Sequence, residues 1–203
     1  MVKILRTLFI SLLPVLLFCA GAFAQVTSGQ KAPDFKANDI NGKAVSFSDY
    51  RGKYVVLEWF NLDCPFVRKH YNSGNMQYLQ KTYTDKGVVW LSICSSAAGN
   101  QGHYSAEEMG AMMKEKGSAA SAVILDENGA IGHKYDAKTT PHMFVMDPEG
   151  AIIYHGAIDS IPSTDPMDIE ASKNYVEEAL NSAMEGKPVE TAATKSYGCS
   201  VKY

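Results

Sequence analysis

A strand that leads directly into a helix, with a cysteine at the junction, organises this sequence. Residues 53–60 are rich in β-branched and aromatic side chains, and Gly52 marks a turn before them. Pro65 suits the first turn of a helix, because its fixed φ is favourable and its missing N–H needs no partner. Cys64 is therefore predicted at a helix N-terminus, where unpaired N–H groups and the helix dipole stabilise a thiolate. Arg68, one turn further on, is a candidate for thiolate support. The alternatives are an unreactive buried cysteine and a solvated arginine.

The first 24 residues have the features of an export signal. Lys3 and Arg6 form a basic start, residues 8–18 are apolar, and Ala22-Phe23-Ala24 is a small-x-small cleavage site. The apolar run is too short to span a bilayer comfortably. The sequence therefore predicts a protein that is exported, to the periplasm or beyond, without stable insertion into the membrane.

Length and charge favour one domain and exclude some partners. We divide the chain into a signal peptide (1–24), one domain (25–187) and a tail (188–203), because the length suits a single core. The net charge is −3, with 19 basic and 22 acidic residues. This balance gives no sign of binding to nucleic acid or to an anionic membrane.

Three cysteines lie outside the signal: Cys64, Cys94 and Cys199. An odd number in an exported protein means that at least one thiol is free, mixed or transiently bonded. No second cysteine or histidine stands at zinc-ligand spacing, so neither a metal nor another cofactor is predicted. Cys94 ends an apolar strand, which favours an inert packed thiol over a second redox centre. The three cysteines together are better explained by redox chemistry than by structural cross-linking.

The hydrophobic pattern predicts strands that alternate with helices. Strands are predicted at 53–60, 88–94, 122–125, 143–146 and 151–154, and helices from 65, from 76 to 86, from 105, over 130–135 and over 168–184. This order indicates an α/β sandwich with a hairpin at one edge of the sheet.

Five short motifs occur in the order seen in redoxins. They are Ala32-Pro-Asp-Phe35, Asp49-Tyr-Arg-Gly-Lys53, Cys64-Pro65, Thr140-Pro141 and Asp147-Pro-Glu-Gly150. Over about residues 26–185 the chain resembles the redoxin (AhpC/TSA-like) branch of the thioredoxin-fold superfamily, which holds peroxiredoxins and periplasmic thiol-disulfide reductases. The resemblance implies a thioredoxin-like three-layer sandwich, with a central mixed β-sheet and helices on both faces.

The resemblance also implies a binding site opposite the cysteine. Pro141 would be a cis-proline facing Cys64, and the backbone of Thr140 would be offered to an extended thiol partner. His142 follows this proline and is a further candidate binding residue, with a structural or surface histidine as the alternative.

Departures from the family patterns leave the reaction open. Val67 stands where thioredoxins have their second active-site cysteine, and the Pro-x-x-x-Thr-x-x-Cys pattern of peroxiredoxins fits in neither register. The chain is similar to a peroxiredoxin-like group with a lone cysteine at the place of Cys64. The resemblance implies an exported thiol oxidoreductase that uses Cys64 on a protein disulfide or on a peroxide, with an unidentified reductant. The alternative is a non-catalytic binding module for a thiol, a peptide or a metal, and either protein could form dimers.

Glu58 is an acidic residue inside the apolar central strand. A carboxylate there is costly unless it is paired or hydrated. Two interpretations remain: a buried proton-transfer group near Cys64, or a residue that faces solvent at an open part of the sheet.

The tail carries the last cysteine. Residues 189–195 read as a linker, whereas Ser196–Tyr203 holds two tyrosines and a valine, which suggests that it docks. An extended chain from Gly186 to Cys199 reaches roughly 40 Å. Cys199 is therefore a candidate to resolve an oxidised Cys64, supplying what Val67 cannot. The alternatives are an incidental cysteine and pairing with Cys94.

Overall fold

The computed structural model describes residues 27–203, so the predicted export signal at 1–24 lies outside the described residues. The strands are β1 (Lys36–Asn38), β2 (Ala44–Ser46), β3 (Val55–Trp59), β4 (Val89–Cys94), β5 (Ala122–Leu125), β6 (Thr139–Thr140), β7 (His142–Met146), β8 (Ile152–Gly156) and β9 (Cys199–Ser200). The helices are α1 (Pro65–Asn72), α2 (Asn75–Thr84), α3 (Ala106–Glu115), α4 (Ala130–Tyr135), α5 (Asp168–Ala171) and α6 (Tyr175–Met184). A short 3-10 helix covers Phe47–Tyr50.

A five-stranded mixed sheet forms the centre, in the order β5-β4-β3-β7-β8. Strand β3 runs parallel to β4 and antiparallel to β7, and β7 and β8 form the predicted hairpin. All residues of β3 and β4 are buried, as expected of apolar strands in a sheet that is covered on both faces. The thioredoxin-like α/β fold with a central mixed sheet is confirmed.

Side-chain alternation along β3 separates two cores. Val56 belongs to the core that receives α1, α2, α3 and α6, whereas Leu57 and Trp59 belong to the core that receives α4 and the 3-10 helix. Helices therefore cover both faces of the sheet. The first of these cores also contains Cys64.

Helix boundaries follow the local chemistry. Ser105 and Glu108 form the predicted capping box at the start of α3. The prediction of one helix over 168–184 is wrong, because α5 ends at Ala171 and α6 begins at Tyr175. The reason is a new N-cap: the Asn174 side chain accepts the N–H of Glu177, which starts a second helix.

The segment predicted to be a linker is held against the sheet. The N–H of His155 in β8 donates to the carbonyl of Ala192, and the N–H of Thr194 donates to the carbonyl of His155. The tail therefore continues along the exposed edge of β8 instead of hanging free, and it leads into β9, which pairs with β6. Across residues 27–203, none of the helices is long and apolar enough to cross a membrane.

Candidate active site at Cys64

Cys64 lies where the sequence predicts it, at the junction between β3 and α1. It is the N-cap residue of α1, with Pro65 at the first helical position, and it is fully buried. Its carbonyl accepts the N–H groups of Val67 at 3.0 Å and Arg68 at 2.9 Å. The helix N-terminus therefore forms around the cysteine, and the sulfur lies at its positive end.

The thiol of Cys64 meets the loop between β6 and β7. Its Sγ donates to the carbonyl oxygen of Thr140 at 3.1 Å. The Thr140–Pro141 peptide bond is cis, as the resemblance implied. Thr140 is 3% exposed, and its Oγ1 is buried without a hydrogen-bond partner. Thr140 and Pro141 thus form one wall of the site.

The tail forms the opposite wall and brings the second thiol. Strand β9 runs antiparallel to β6, with Cys199 opposite Thr140 and Ser200 opposite Thr139. Thr140, which stands opposite Cys199 in this register, is also the residue whose carbonyl accepts the Cys64 thiol. The structure therefore brings Cys64 and Cys199 together as two free thiols.

Close approach of the tail depends on a residue without a side chain. Gly198 has φ of +127°, and a Cβ at this position would lie 2.0 Å from the carbonyl oxygen of Thr140. Both the backbone conformation and the contact exclude other residues unless the chains separate. The glycine therefore allows β9 to lie directly against the Thr140–Pro141 loop.

Opposing effects set the ionisation of Cys64. Burial disfavours the thiolate, but the Cys199 thiol, the Thr140 side chain and the backbone N–H groups of Cys199 and Val67 favour it and outweigh burial. The net result is a pKa of Cys64 below its usual value. Most of these donors belong to the docked tail and the facing loop, so the tail itself favours the thiolate.

The pKa of the second thiol, that of Cys199, shifts in the opposite direction. Burial, together with the hydrogen bond to Cys64 and the charge that develops there, raises the pKa of Cys199 to about 11. The proton of the pair therefore resides on Cys199 while Cys64 ionises first. This asymmetry gives one nucleophile and one protonated partner.

The remaining cysteine is separate from this pair. Cys94 is buried at the end of β4, where its Sγ contacts the Gly102 carbonyl at 3.4 Å and the Ser96 hydroxyl at 3.5 Å. Burial raises the pKa of Cys94. These features fit an inert packed thiol, and Cys199 is not among the contacts of Cys94.

Arg68 has contacts other than the thiol. Its Nε donates to the carbonyl of Leu62 at 3.1 Å, and its Nη2 lies 3.7 Å from the carboxylate of Asp63. Its side chain is 54% exposed. The guanidinium thus braces the turn that precedes α1, and the hydrogen bonds described above lower the pKa of Cys64 without it.

His142 faces away from Cys64. It shares a face of β7 with Phe144, whose ring centroid is 4.5 Å from the imidazole, and its Nδ1 accepts the N–H of Lys138 at 3.3 Å. Burial, then the charges of His155 and Lys138, lower the pKa of His142 to about 3. The imidazole is therefore a neutral group that supports the loop from the other side of the sheet.

Glu58 is buried and paired, so the interpretation of a solvent-facing residue is wrong. Its carboxylate accepts hydrogen bonds from Tyr71, Gln80, Trp90 and Ser92 at 2.8–3.1 Å. Burial raises the pKa of Glu58, and these four bonds offset part of that effect. Its hydrogen-bond partners come from α1, α2 and β4, and Cys64 is not among them.

Sequence reasoning missed a buried ionic cluster that anchors the tail. The Lys69 ammonium donates to Asp159 at 3.0 Å, and both side chains are almost wholly buried. The phenol of Tyr197 donates to the other oxygen of Asp159, and its ring packs edge-on against Phe66. The tyrosines of the tail were a signal for docking, but nothing in the sequence links Lys69 to a partner 90 residues away.

A second anchor holds the end of the tail. The ring of Tyr203 stacks on His133 with centroids 4.0 Å apart, and its hydroxyl donates to the Ala137 carbonyl at 2.8 Å. Gly129 and Gly132 lie beneath the ring, where a Cβ would come within 2.5 Å of it or of its hydroxyl.

In residues 27–203 no cluster of three or more ligating side chains could hold a metal ion.

A family model for the AhpC/TSA family matches residues 28–155. The chain belongs to the AhpC/TSA family. Among curated relatives, thiol-disulfide oxidoreductase ResA of Bacillus subtilis is 29% identical over 128 residues, which are 63% of this chain and 66% of the relative. Thioredoxin-like protein YneN of the same organism is 27% identical over 127 residues, 63% of this chain and 69% of the relative. Peroxiredoxin Bcp, also from B. subtilis, is 23% identical over 117 residues, 53% of this chain and 62% of the relative.

Solved structures support the same fold. An uncharacterised conserved protein from Geobacillus kaustophilus has a TM-score of 0.75 at 26% identity, covering 89% of this chain and 94% of the other. A putative thiol:disulfide interchange protein DsbE from Chlorobium tepidum has a TM-score of 0.59 at 23% identity, covering 79% and 99%. The chain therefore has the thioredoxin-like fold, and its curated relatives include thiol-disulfide oxidoreductases and a peroxiredoxin.

Proposed function

We propose that this protein is an exported thiol-disulfide oxidoreductase in which Cys64 is the nucleophile and Cys199 resolves it. One observation carries the proposal: Cys199 stands opposite Thr140 in the pairing of β9 with β6, and the carbonyl of Thr140 accepts the Cys64 thiol. The two thiols also ionise unequally, because the pKa of Cys64 is lowered and that of Cys199 is raised. Export rests on the basic, apolar and small-x-small pattern of residues 1–24.

The chemistry follows from the pair. The Cys64 thiolate attacks a disulfide sulfur of the partner, the partner's S–S bond breaks, and a mixed disulfide and a leaving thiolate form. Cys199 then loses its proton and attacks Cys64, which releases the second partner thiol. The partner gains two electrons and two protons, and the protein is left with a Cys64–Cys199 disulfide. An external dithiol of lower reduction potential must return it to the reduced form.

A disulfide suits this site better than a peroxide. The loop at Thr140 already pairs with an extended strand, which is how a polypeptide partner would present its cysteine. Arg68, the candidate for thiolate support, contacts Leu62 and Asp63 instead, so it is not positioned to hold a peroxide oxygen at Cys64. Peroxide remains the competing oxidant that the experiment must include.

The test is to oxidise the reduced mature protein separately with one equivalent of a small disulfide and of peroxide, and to map disulfides by non-reducing digestion. We expect a Cys64–Cys199 link within one chain, formed faster with the disulfide. Stable Cys64 sulfenic acid with Cys199 still alkylatable would remove the resolving role. A faster reaction with peroxide would reverse the choice of substrate.

Matched cysteine variants separate the roles. We expect Cys64→Ser to abolish disulfide reductase activity, Cys199→Ser to stop at the mixed disulfide, and Cys94→Ser to keep activity because this thiol is buried and apart. Full activity of Cys64→Ser would show that Cys64 is not the nucleophile, and no reductase activity in the unmodified protein would indicate a binding module instead.

A further inference from the structure

The tail fills a socket beside the reactive thiol. Tyr197, two residues before Cys199, puts its ring 5.8 Å from that of Phe66 in edge-to-face contact and donates its phenol proton to Asp159. Asp159 is 2% exposed, and its second oxygen accepts from the Lys69 ammonium, which also donates to the Ile161 carbonyl. We use the name phenol socket for Phe66, Lys69 and Asp159.

One helix aligns this socket with the chemistry. Phe66 and Lys69 belong to α1, and Cys64 is the N-cap of the same helix. A strand that pairs with β6 and places its cysteine at Cys64 therefore presents the side chain two residues earlier to the phenol socket. Because the socket ends in a buried carboxylate, it favours a group that can donate a hydrogen bond from the end of a ring.

The position between the phenol and the cysteine is restricted as well. A Cβ at Gly198 would lie 2.0 Å from Thr140 O and 2.8 Å from Thr140 C, both of which are backbone atoms. Backbone atoms cannot turn aside as a flexible side chain can. A strand seated here therefore needs glycine immediately before its cysteine.

The docked tail also closes the site. Cys64 is fully buried while β9 is paired with β6, so a polypeptide disulfide can reach its sulfur only after the tail leaves. A partner strand that replaces the tail contacts the same surface: the Thr140–Pro141 loop, the Cys64 thiol and the phenol socket. The tail is thus a template for the partner that it excludes.

We propose that the surface beneath the tail binds the cysteine-containing strand of an external disulfide partner in the tail's own place, and that it selects glycine before the reacting cysteine and a phenolic residue before that glycine. The inference rests on the proposed function. It adds the class of partner: an extended segment of the order Tyr-Gly-Cys. After the mixed disulfide forms, the partner strand leaves the loop and the tail returns with Cys199.

Peptides test this selection on the full mature protein. The probe is a synthetic peptide of the sequence Ser196–Val201 whose cysteine is a pyridyl disulfide. It reacts with the protein variant Cys199→Ser, so the product cannot be resolved. The Cys64 thiolate attacks the peptide sulfur, the bond to the pyridyl sulfur breaks, and pyridinethione is released and measured by its absorbance. Two further peptides carry Tyr197→Ala or Gly198→Ala. We expect each to react about tenfold more slowly than the parent peptide.

Protein variants locate the selection. Phe66→Leu removes the ring edge of the socket, and we expect the ratio of the rates for the parent and Tyr197→Ala peptides to fall several-fold toward one. The ratio cancels any general change in thiol reactivity. Tyr78→Leu, at an exposed aromatic residue of α2, is the control and should keep the ratio. Placing Gly198→Ala in the protein should raise the rate for the parent peptide relative to the rate for dithiodipyridine, because the tail no longer competes for the strand site. The second reagent needs no strand pairing and corrects for the change in the pKa of Cys64 when the tail leaves.

The outcomes are distinct. Equal rates for the three peptides, or an unchanged ratio of the parent-peptide rate to the dithiodipyridine rate in the protein with Gly198→Ala, would overturn the inference while leaving Cys64 as the nucleophile. Failure of Cys64 to react even with dithiodipyridine, which needs no strand pairing, would overturn the proposed function and the inference together.

Discussion

At the scale of single residues, ionisation of Cys64 depends on its neighbour. The thiol of Cys199 is the first of the hydrogen-bond donors that lower the pKa of Cys64 against the effect of burial. We expect Cys199→Ala to raise this pKa toward the ordinary thiol value of about 8.5, because a donor to the thiolate is lost. The measurement is the ultraviolet absorbance of the thiolate against pH, with Cys64→Ser subtracted. Cys94→Ser is the control, and an unchanged midpoint in Cys199→Ala would contradict the assignment of that donor.

Glu58 allows a second prediction at this scale. Glu58→Leu leaves the Trp90 indole N–H and the Gln80 amide without acceptors in the core, so we expect it to lower the free energy of unfolding by about 3 kcal/mol or more. Glu58→Gln keeps an acceptor and should cost less. Urea unfolding measures both. Equal costs would mean that the four hydrogen bonds do not hold this part of the core.

The charge of Glu58 also predicts a pH dependence. Because burial raises the folded-state pKa above the ordinary value of 4.5, the folded protein holds this proton more tightly than the unfolded chain. The contribution of Glu58 to stability therefore falls as the pH rises from about 4.5 through the folded-state pKa. Relative to Glu58→Gln, which does not titrate, the unmodified protein should lose stability over that interval. A difference that is constant with pH would contradict the raised pKa.

At the scale of elements, β9 depends on one glycine. We expect Gly198→Ala to separate β9 from β6, because its Cβ would overlap the Thr140 carbonyl. Hydrogen exchange measures this: the N–H of Val201, bonded to the Lys138 carbonyl, and that of Ala97, bonded to the Lys202 carbonyl, should lose protection.

The control for this element lies in α3. At Gly110 a Cβ would meet only the side chain of Ile40 at 3.6 Å, an ordinary contact, so Gly110→Ala should leave the tail protected. Protection at Val201 that survives Gly198→Ala would mean that the backbone can adjust and that the glycine does not control docking.

Also at this scale, local patterns predicted the elements of the site but not their contacts. The strand-to-helix junction at Cys64 and the hairpin of β7 and β8 follow from residues adjacent in sequence, so propensity and periodicity reveal them. The break between α5 and α6 did not, because one Asn174 side chain decides it. A single N-cap residue is a weak sequence signal when the apolar pattern of a helix continues on both sides of it.

At the scale of the whole molecule, the missing information was long-range pairing. The tail was predicted to dock and to contain a resolving thiol. Its path along β8 and its pairing with β6 are set by backbone hydrogen bonds, which every residue can form and which therefore leave no pattern in the sequence. The Lys69–Asp159 pair was hidden for the same reason: charges distant in sequence meet only once the fold exists. The sequence indicated which residues matter, and tertiary packing decided which of them touch.

Oxidation of Cys64 and Cys199 to a disulfide is predicted to stabilise the whole fold. A Cys64–Cys199 bond would close a loop that encloses most of the described chain, which restricts the unfolded state far more than the folded one. Because β9 already seats Cys199 beside Cys64, the bond needs little movement of the folded chain. We expect the oxidised protein to be more stable than the reduced one by about 2–4 kcal/mol. Urea unfolding of both forms measures the difference, and Cys199→Ser should show no redox dependence. An oxidised form that is no more stable than the reduced form would mean that the tail must leave its seat for the bond to form.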